Sequence, residues 1–162
     1  MLTETADRIH AISAVHEALY ADVHAGGVLL ADRLRVIADR LAVTYGLGER
    51  VKVSVSGDNV LQLSLTESVP LALLATELAS NAFKHAFPAG RQGRIDIAIH
   101  ARAGGGLELS VEDDGVGFTP RAGHRGSGLD ISRALARQLG GTLSIEPHLT
   151  GGTTARCGVS LQ

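Results

Sequence analysis

Two runs of alternating apolar residues in the middle of the chain limit its fold most narrowly. Isoleucine occupies every second position from 95 to 99, and leucine or valine does so from 107 to 111, after a glycine-rich turn at 103–106. Alternation with a period of two predicts strands that have one buried and one exposed face. The two runs therefore predict a hairpin in a sheet that is covered on one side.

Four segments repeat apolar residues at three- and four-residue steps, which is the spacing of one helix face. These segments span about 3–20, 30–41, 66–85 and 128–139. Thr66 or Ser68 is the expected N-cap of the third helix, where Pro70 would be tolerated in the first turn. Glycines follow the other three segments and predict their ends.

Alternating residues predict two further strand regions. A first hairpin is expected at 51–65, where Gly57-Asp58-Asn59 would form the turn between two strands. Two last strands are expected near 142–146 and 153–161. Because helical and strand runs segregate along the chain instead of alternating strictly, the predicted class is α+β, a two-layer sandwich with helices on one face of a mixed sheet.

Composition disfavours several classes of function. A chain of 162 residues corresponds to one domain, or to one domain with a short extra element. A net charge of −2 and an aromatic content of 3% disfavour binding to nucleic acid. The chain has no apolar run long enough for a membrane span, no secretory signal, and Cys157 as its single cysteine. We therefore expect a cytoplasmic protein.

Four polar side chains share one face of the predicted third helix. Glu77, Asn81, Lys84 and His85 lie within about 100° of one another on a helical wheel. Their oxygen ligands could hold Mg²⁺, and their cations could neutralise phosphate. A solvated helix face gives the same pattern, and the pattern alone favours that interpretation.

An acidic, glycine-bearing motif ends the strand at 107–112. Asp113, Gly115 and Gly117 form a D-x-G-x-G sequence. A carboxylate in this position can accept a hydrogen bond from an exocyclic amine, and the glycines let a flat base approach the backbone. An ordinary Asp-Gly turn is the alternative interpretation.

Two more glycine motifs lie near the predicted C-terminal elements. Gly126, Ser127, Gly128 and Leu129 begin the fourth helix, whose free N–H groups and positive dipole end could bind an anion. An ordinary glycine-rich helix entry explains this motif equally well. The sequence Gly-Gly-Thr at 151–153 enters the last strand, where a hydroxyl near the D-x-G-x-G turn could reach a base through water.

The order of these four motifs resembles the Bergerat ATP-binding fold of histidine kinases, gyrase-type ATPases, MutL and Hsp90. The segments TELASNAFKHAFPAGRQGRIDI and LSVEDDGVGF are similar to the histidine kinase group known as HisKA_2, which is related to the HWE kinases. RIHAISAVHEALY resembles the second helix of that group's dimerisation and phosphotransfer hairpin. The resemblance implies part of this hairpin at 1–25 and an ATP-binding catalytic domain at 26–162.

The resemblance also implies how adenine would be bound. Asp113 would bind the adenine amino group, and Gly115 and Gly117 would shape the base pocket. Thr153 would support the contact between Asp113 and the base.

For the phosphates, the resemblance implies that Asn81 holds Mg²⁺ against ATP, with Lys84 and His85 nearby. Glu77 occupies the position where gyrase-type relatives keep the carboxylate that activates water, and its role in a kinase stays open. The backbone at 126–129 would cradle phosphates. The preceding segment, 118–125, would form a lid, and its glycines and basic residues suit a mobile flap.

The chain also departs from the family pattern. The family's phosphoacceptor histidine lies in a stretch that resembles H-R-x-K-N, which this chain lacks, and His10, His16 and His24 do not match that position. The HWE signature W-x-E is missing because the chain has no Trp. We therefore expect the catalytic part of a longer sensor kinase, or a product whose acceptor lies on another polypeptide. Such a chain would bind ATP and Mg²⁺ without phosphorylating itself.

Two other functions stay open from the sequence. A GHKL-type ATPase or an anti-sigma-like serine kinase would use Glu77 to activate water or a serine hydroxyl. A degenerate relative would be a phosphotransfer or docking scaffold. The expected partners of a kinase are its phosphoacceptor helix and a response regulator. The apolar stripe of the helix at 3–20 would be covered by the same chain or by a second copy in a homodimer.

Overall fold

The computed structural model describes Ser13, Glu17 and residues 28–58, 62–117, 127–148 and 150–160. Its helices and strands are, in chain order, β1 (Val28–Leu29), α1 (Leu30–Thr44), β2 (Val51–Gly57), β3 (Gln62–Leu63), α2 (Leu65–His85), β4 (Gly93–Ala101), β5 (Leu107–Asp113), α3 (Ser127–Gln138), β6 (Thr142–Pro147) and β7 (Thr153–Val159). Ser13 and Glu17 are helical, and the rest of the predicted first helix lies outside the described residues. The division near residue 25 stays a prediction.

Five strands form one mixed sheet in the order β2-β4-β5-β7-β6. The β2–β4 pair is parallel, and the other three pairs are antiparallel. The hairpin predicted from the two alternating runs is the β4–β5 pair, so this prediction is confirmed. The two last strands occur near their predicted positions, and the structure shows that they form a second antiparallel pair.

The core lies between one face of this sheet and the three helices. Along β4, the residues at 95, 97 and 99 are buried, and along β5 those at 107, 109 and 111 are buried. Helix α2 packs between α1 and α3 and covers β4 and β5. The intervening residues of both strands are half-buried or exposed, so the opposite face of the sheet is open. The predicted two-layer α+β sandwich is confirmed.

The predicted hairpin at 51–65 is wrong. β2 pairs in parallel with β4, and the short β3 pairs antiparallel with β1. Asp58 continues alongside β4, because its N–H donates to the Ile99 carbonyl over 3.1 Å and its carboxylate accepts the Ala101 N–H over 2.7 Å. Parallel strands need a crossover, and α2 provides it. Local alternation could not reveal that the partner of β2 comes after α2.

The predicted start of α2 needs a smaller correction. Its N-cap is Ser64, instead of Thr66 or Ser68. The Glu67 carboxylate accepts the Ser64 N–H at 3.0 Å and the Ser64 hydroxyl at 2.6 Å. These two hydrogen bonds satisfy the free Ser64 N–H at the helix start and fix the cap. Because the helix begins earlier, Pro70 lies beyond its first turn, inside the helix.

The C-terminal ends of α1 and α3 agree with their glycine signals, whereas the predicted end of the first helix lies outside the described residues. Gly46 follows α1 with a φ of 63°, and Gly140 follows α3 with a φ of 66°. The Gly141 N–H donates to the Ala136 carbonyl at 2.8 Å, which satisfies one of the last carbonyls of α3. Among the described residues, no helix is long and apolar enough to cross a membrane.

Candidate nucleotide site

Asp113 and Thr153 are direct partners across the β5–β7 pair, at the end of the sheet where both strands meet loops. Asp113 is only 8% exposed. The Gly115 N–H donates to Oδ1 of Asp113 over 3.0 Å. Burial raises the pKa of Asp113 above its ordinary value, while backbone hydrogen bonds from Gly115 and Thr153 act in the opposite direction. A polar ligand group that donates to this carboxylate would satisfy a charge that burial disfavours.

The turn after Asp113 is closely packed, and neither Gly115 within it nor Gly152 beside it has room for a side chain. A Cβ on Gly115 would lie 2.3 Å from the carbonyl oxygen of Ala86, which also accepts the Val116 N–H at 2.9 Å. On the other side, Gly152 has a φ of 98°, and a Cβ there would lie 2.1 Å from the Asp113 carbonyl oxygen. The end of α2 and the β6–β7 turn therefore hold the D-x-G-x-G turn between them.

Asp114 fixes the same turn from a third side. Its Oδ1 accepts the Arg94 N–H over 2.8 Å, and its carbonyl accepts a hydrogen bond from the Arg91 guanidinium over 2.9 Å. Sequence reasoning missed these residues, together with Ala86. Each partner lies at least twenty residues away along the chain, so no local spacing could have indicated the contact.

Glu77 and Asn81 of α2 face the beginning of α3. A Cβ built on Gly128 would lie 3.3 Å from Oδ1 of Asn81 and 3.5 Å from Oε2 of Glu77. The Ser132 hydroxyl donates to the Gly128 carbonyl over 2.9 Å and holds this first turn of α3. Two oxygen-bearing side chains thus stand beside a helix N-terminus, where free N–H groups favour anions.

Lys84 and His85 are exposed at the last turn of α2. The Lys84 ammonium lies 5.7 Å from the centroid of the Tyr45 ring, and that ring stacks on Phe83 with a centroid distance of 5.7 Å. A cation over an aromatic face is attracted to the ring electrons. Tyr45, at the end of α1, is therefore a neighbour of Lys84 that the sequence did not identify.

The remaining predicted residues divide between the described and undescribed parts of the chain. Leu129 is half-buried in the first turn of α3, and Gly117, with a φ of 84°, lies beside Gly152. Ser127 is the first residue of α3. Gly126 and the predicted lid at 118–125 lie outside the described residues.

The structure brings the predicted site residues together in two groups, and Ala86 lies between these groups. The first group surrounds Asp113, and the second surrounds Asn81. Asn81 is about one and a half turns before Ala86, whose carbonyl accepts the Val116 N–H of the D-x-G-x-G turn.

In the described part of the chain, no cluster of three or more His, Cys, Asp or Glu side chains could hold a metal ion. An Mg²⁺ ion commonly takes one or two protein oxygens and completes its shell with substrate phosphates and water.

A family model described as "Histidine kinase-, DNA gyrase B-, and HSP90-like ATPase" matches residues 66–162. The sensor histidine kinase PdtaS of Mycolicibacterium smegmatis is 32% identical over 160 residues, which cover 94% of this chain and 31% of that protein. Blue-light-activated histidine kinase 2 of Erythrobacter litoralis is 32% identical over 106 residues, which cover 62% of this chain and 30% of that protein. The chain therefore spans less than a third of the length of these curated relatives.

The fold also matches a solved structure. The histidine kinase domain from the blue-light activated histidine kinase of Erythrobacter litoralis superposes with a TM-score of 0.82 and 23% sequence identity. The match covers 99% of this chain and 82% of that chain. At this identity, the similarity establishes a shared fold.

Proposed function

The chain belongs to the family of histidine kinase-, DNA gyrase B- and Hsp90-like ATPases, and from this membership we propose that it is the ATP-binding catalytic domain of a two-component sensor histidine kinase. The proposed reaction transfers the γ-phosphoryl group of ATP to a histidine outside these 162 residues. The observation that carries the proposal is the approach of the N-terminus of α3 to Asn81 and Glu77. This approach brings an anion site beside oxygen ligands for a divalent cation.

Asp113 recognises the base in this proposal. Its buried carboxylate is held at a fixed position by the N–H of Gly115, and it accepts a hydrogen bond from the adenine amino group. A guanine base carries a carbonyl at the corresponding ring position, so a carboxylate there would repel it. Gly115, Gly117 and Thr153 form the surrounding wall, where larger side chains would meet backbone atoms at the first two positions.

Asn81 binds Mg²⁺ through its amide oxygen, and the ion neutralises charge on the phosphates when it is bound. The N–H groups at the start of α3 bind phosphate oxygens, with Lys84 and His85 supplying positive charge from the last turn of α2. A phosphoryl-transfer site mainly positions its reactants and stabilises their charge. The residues of this chain perform both tasks, and the acceptor imidazole is supplied by the phosphotransfer hairpin of the longer kinase.

The proposed reaction implies which partners the domain has. The domain binds ATP and the phosphoacceptor helix, and the phosphohistidine is then consumed by a response regulator. A homodimer through the hairpin helices would bring two such domains to one pair of acceptors. We assign the domain to the cytoplasm, where ATP is available and a buried thiol such as that of Cys157 stays reduced.

The position of Glu77 favours one alternative function, which is ATP hydrolysis. Its carboxylate lies beside the start of α3, where a γ-phosphate would be bound, so it could orient a water molecule. Steady release of ADP by the wild-type chain, lost in Glu77→Gln, would favour a GHKL-type ATPase. Failure to turn ATP over, with unchanged nucleotide binding in Glu77→Gln, would favour the kinase.

Calorimetric titration with a non-hydrolysable ATP analogue, with and without Mg²⁺, tests the proposal. We expect saturable binding that Mg²⁺ strengthens, that Asp113→Ala abolishes, and whose Mg²⁺ dependence Asn81→Ala removes. Absence of binding by the wild-type chain would overturn the proposal in favour of a scaffold. In a second test, radiolabelled ATP should leave no acid-labile label on this chain alone, and should label a separate polypeptide that carries the acceptor hairpin.

A further inference from the structure

A polar cluster lies on the open face of the sheet, directly behind the proposed base site. We define the back cluster as Glu112, His148 and Thr154. Glu112 and Thr154 are cross-strand partners, and each is the immediate neighbour of one member of the Asp113–Thr153 pair. Because side chains alternate along a strand, the back cluster and the Asp113 carboxylate lie on opposite faces of the same two strands.

His148 connects this cluster. Its Nε2 hydrogen-bonds to the hydroxyl of Thr154, which is only 2% exposed, and lies 3.6 Å from Oε1 of Glu112. The backbone of His148 also closes the β6–β7 turn, because its N–H donates to the Gly152 carbonyl at 3.0 Å and its carbonyl accepts the Gly151 N–H at 3.2 Å. One residue thus joins the side chains of the back cluster to the glycine turn that faces the nucleotide site.

We propose that His148 is a positioning residue for nucleotide binding, which holds the β6–β7 turn against the D-x-G-x-G turn and so fixes the adenine-recognising carboxylate. The inference rests on the proposed function. A Cβ on Gly152 would lie 2.1 Å from the Asp113 carbonyl oxygen, and Thr153, the next residue, is the cross-strand partner of Asp113, so the turn packs directly against the Asp113 backbone. His148 itself touches no nucleotide atom in this scheme and acts through Gly152.

The contact with Glu112 makes this positioning depend on pH. A protonated imidazole is attracted to the Glu112 carboxylate, whereas a neutral one keeps only its hydrogen bond to Thr154. Asp113 behind the sheet and Glu146 opposite Thr154 on β6 also place negative charge next to the cluster. Asp96 lies opposite Glu112 on β4, but it is paired with Arg94, whose Nε lies 3.0 Å from its Oδ2. The contribution of His148 to nucleotide affinity should therefore be larger at a pH that protonates the imidazole than at one that leaves it neutral.

His100 offers a matched control on the same face of the sheet. Its Nδ1 lies 3.2 Å from Oδ1 of Asp58, so it is also a histidine paired with a carboxylate. It lies at the far end of β4, five residues beyond the position opposite Asp113. Loss of this imidazole removes a comparable pair without affecting either glycine turn.

The test is the dissociation constant of the Mg²⁺ complex of a non-hydrolysable ATP analogue at about pH 6 and about pH 8. His148→Ala should weaken binding by about three- to tenfold at the lower pH and by less at the higher pH. His100→Ala should stay within about twofold of the wild type at both values. His148→Gln, which keeps an amide donor for Thr154, should bind better than His148→Ala at the higher pH. In the Glu112→Gln background, His148→Ala should cost less affinity at the lower pH than it does in the wild-type background.

Three outcomes would overturn the inference: unchanged affinity in His148→Ala, an equal loss in His100→Ala, or a loss in His148→Ala that is the same at both pH values. His148→Gln keeps the test decisive if His148→Ala does not fold. Asp113→Asn is titrated in parallel. Absence of binding by the wild type would refute the proposed function, whereas wild-type binding that is lost in Asp113→Asn and retained in His148→Ala would refute only the role of His148.

Discussion

Asp113 stands directly opposite Thr153 across β5 and β7, and its carboxyl group is buried without a cationic partner at hydrogen-bond distance among the described residues. Burial raises the pKa of this group, so the ionised form disfavours folding relative to the unfolded chain. A buried charge with this cost is typical of functional sites, because a ligand can satisfy what the fold leaves unsatisfied. At Asp113, the ionised carboxylate that favours nucleotide binding therefore lowers the stability of the nucleotide-free fold.

Asp113→Asn is expected to weaken binding of the ATP analogue by about 10- to 100-fold, because an amide cannot replace the ionised acceptor for the adenine amine. The same substitution should raise the melting temperature of the nucleotide-free chain at neutral pH, because it removes a buried charge. Calorimetry and thermal unfolding measure the two effects. Asp96→Asn, on the open face of the sheet, is the control and should change neither quantity in this way.

The pH dependence of this stability difference has a defined sign. Because the pKa of Asp113 is raised in the folded state, its ionisation costs stability as pH rises from its ordinary value of 3.8 through the folded value. The advantage of Asp113→Asn should therefore be largest near neutrality and should shrink as pH falls toward that ordinary value. Thermal unfolding of both proteins across this range measures it. An advantage that grows on acidification would contradict the assignment.

Gly128→Ala should lower affinity for the Mg²⁺ complex of the ATP analogue by about tenfold. The added methyl group would lie 3.3 Å from Oδ1 of Asn81, closer than most such contacts, so the amide must move. The melting temperature should not fall, because alanine favours a helix over glycine. Gly48→Ala is the control, since nothing lies within 4 Å of its added Cβ. Equal affinities for both variants would argue against a role of this contact in binding.

Ser68→Ala should stabilise the chain by about 1 kcal/mol, or roughly 2–4 °C in melting temperature. The Ser68 hydroxyl is fully buried in α2 and has no hydrogen-bond partner among the described residues, so its desolvation cost is not offset by a hydrogen bond. Ser132→Ala is a matched comparison, because that buried hydroxyl donates to Gly128 over 2.9 Å and its loss should not stabilise. The result would be refuted if thermal unfolding showed the two variants shifted in the same direction by the same amount.

Gly152→Ala should destabilise the chain by about 2–4 kcal/mol, because it combines a backbone conformation with positive φ and a Cβ at 2.1 Å from the Asp113 carbonyl oxygen. Gly105→Ala carries nearly the same φ, 97° against 98°, but has nothing within 4 Å, so it should lose only the stability that the backbone conformation costs. Denaturant unfolding separates the two costs. If both variants lose the same stability, the close approach of the two turns contributes nothing.

Tertiary pairing accounts for the largest error of the sequence analysis. The alternation at 51–55 identified a strand but not its partner, because periodicity reports which residues share a face and says nothing about which strand lies alongside. The parallel pairing of β2 with β4 requires α2 as a crossover, and such a contact is invisible to local spacing. The cap at Ser64 was missed for a similar reason, since three candidate hydroxyls lie within five residues and only the reach of Glu67 selects one of them.

The sequence by itself determined the order along the chain of α1, α2, α3 and the five strands of the sheet, the open and covered faces of the β4–β5 hairpin, and the motifs at Asn81, Asp113 and Gly128. These features depend on local spacing and on side-chain chemistry, which are present in the chain before it folds. Only the tertiary structure decided that Ala86 and Gly152 enclose the D-x-G-x-G turn, that Tyr45 lies beneath Lys84, and that His148 stands behind Thr154. Most of these contacts join residues that are far apart in sequence, and their geometry is set by how the helices and the β6–β7 turn pack against the sheet.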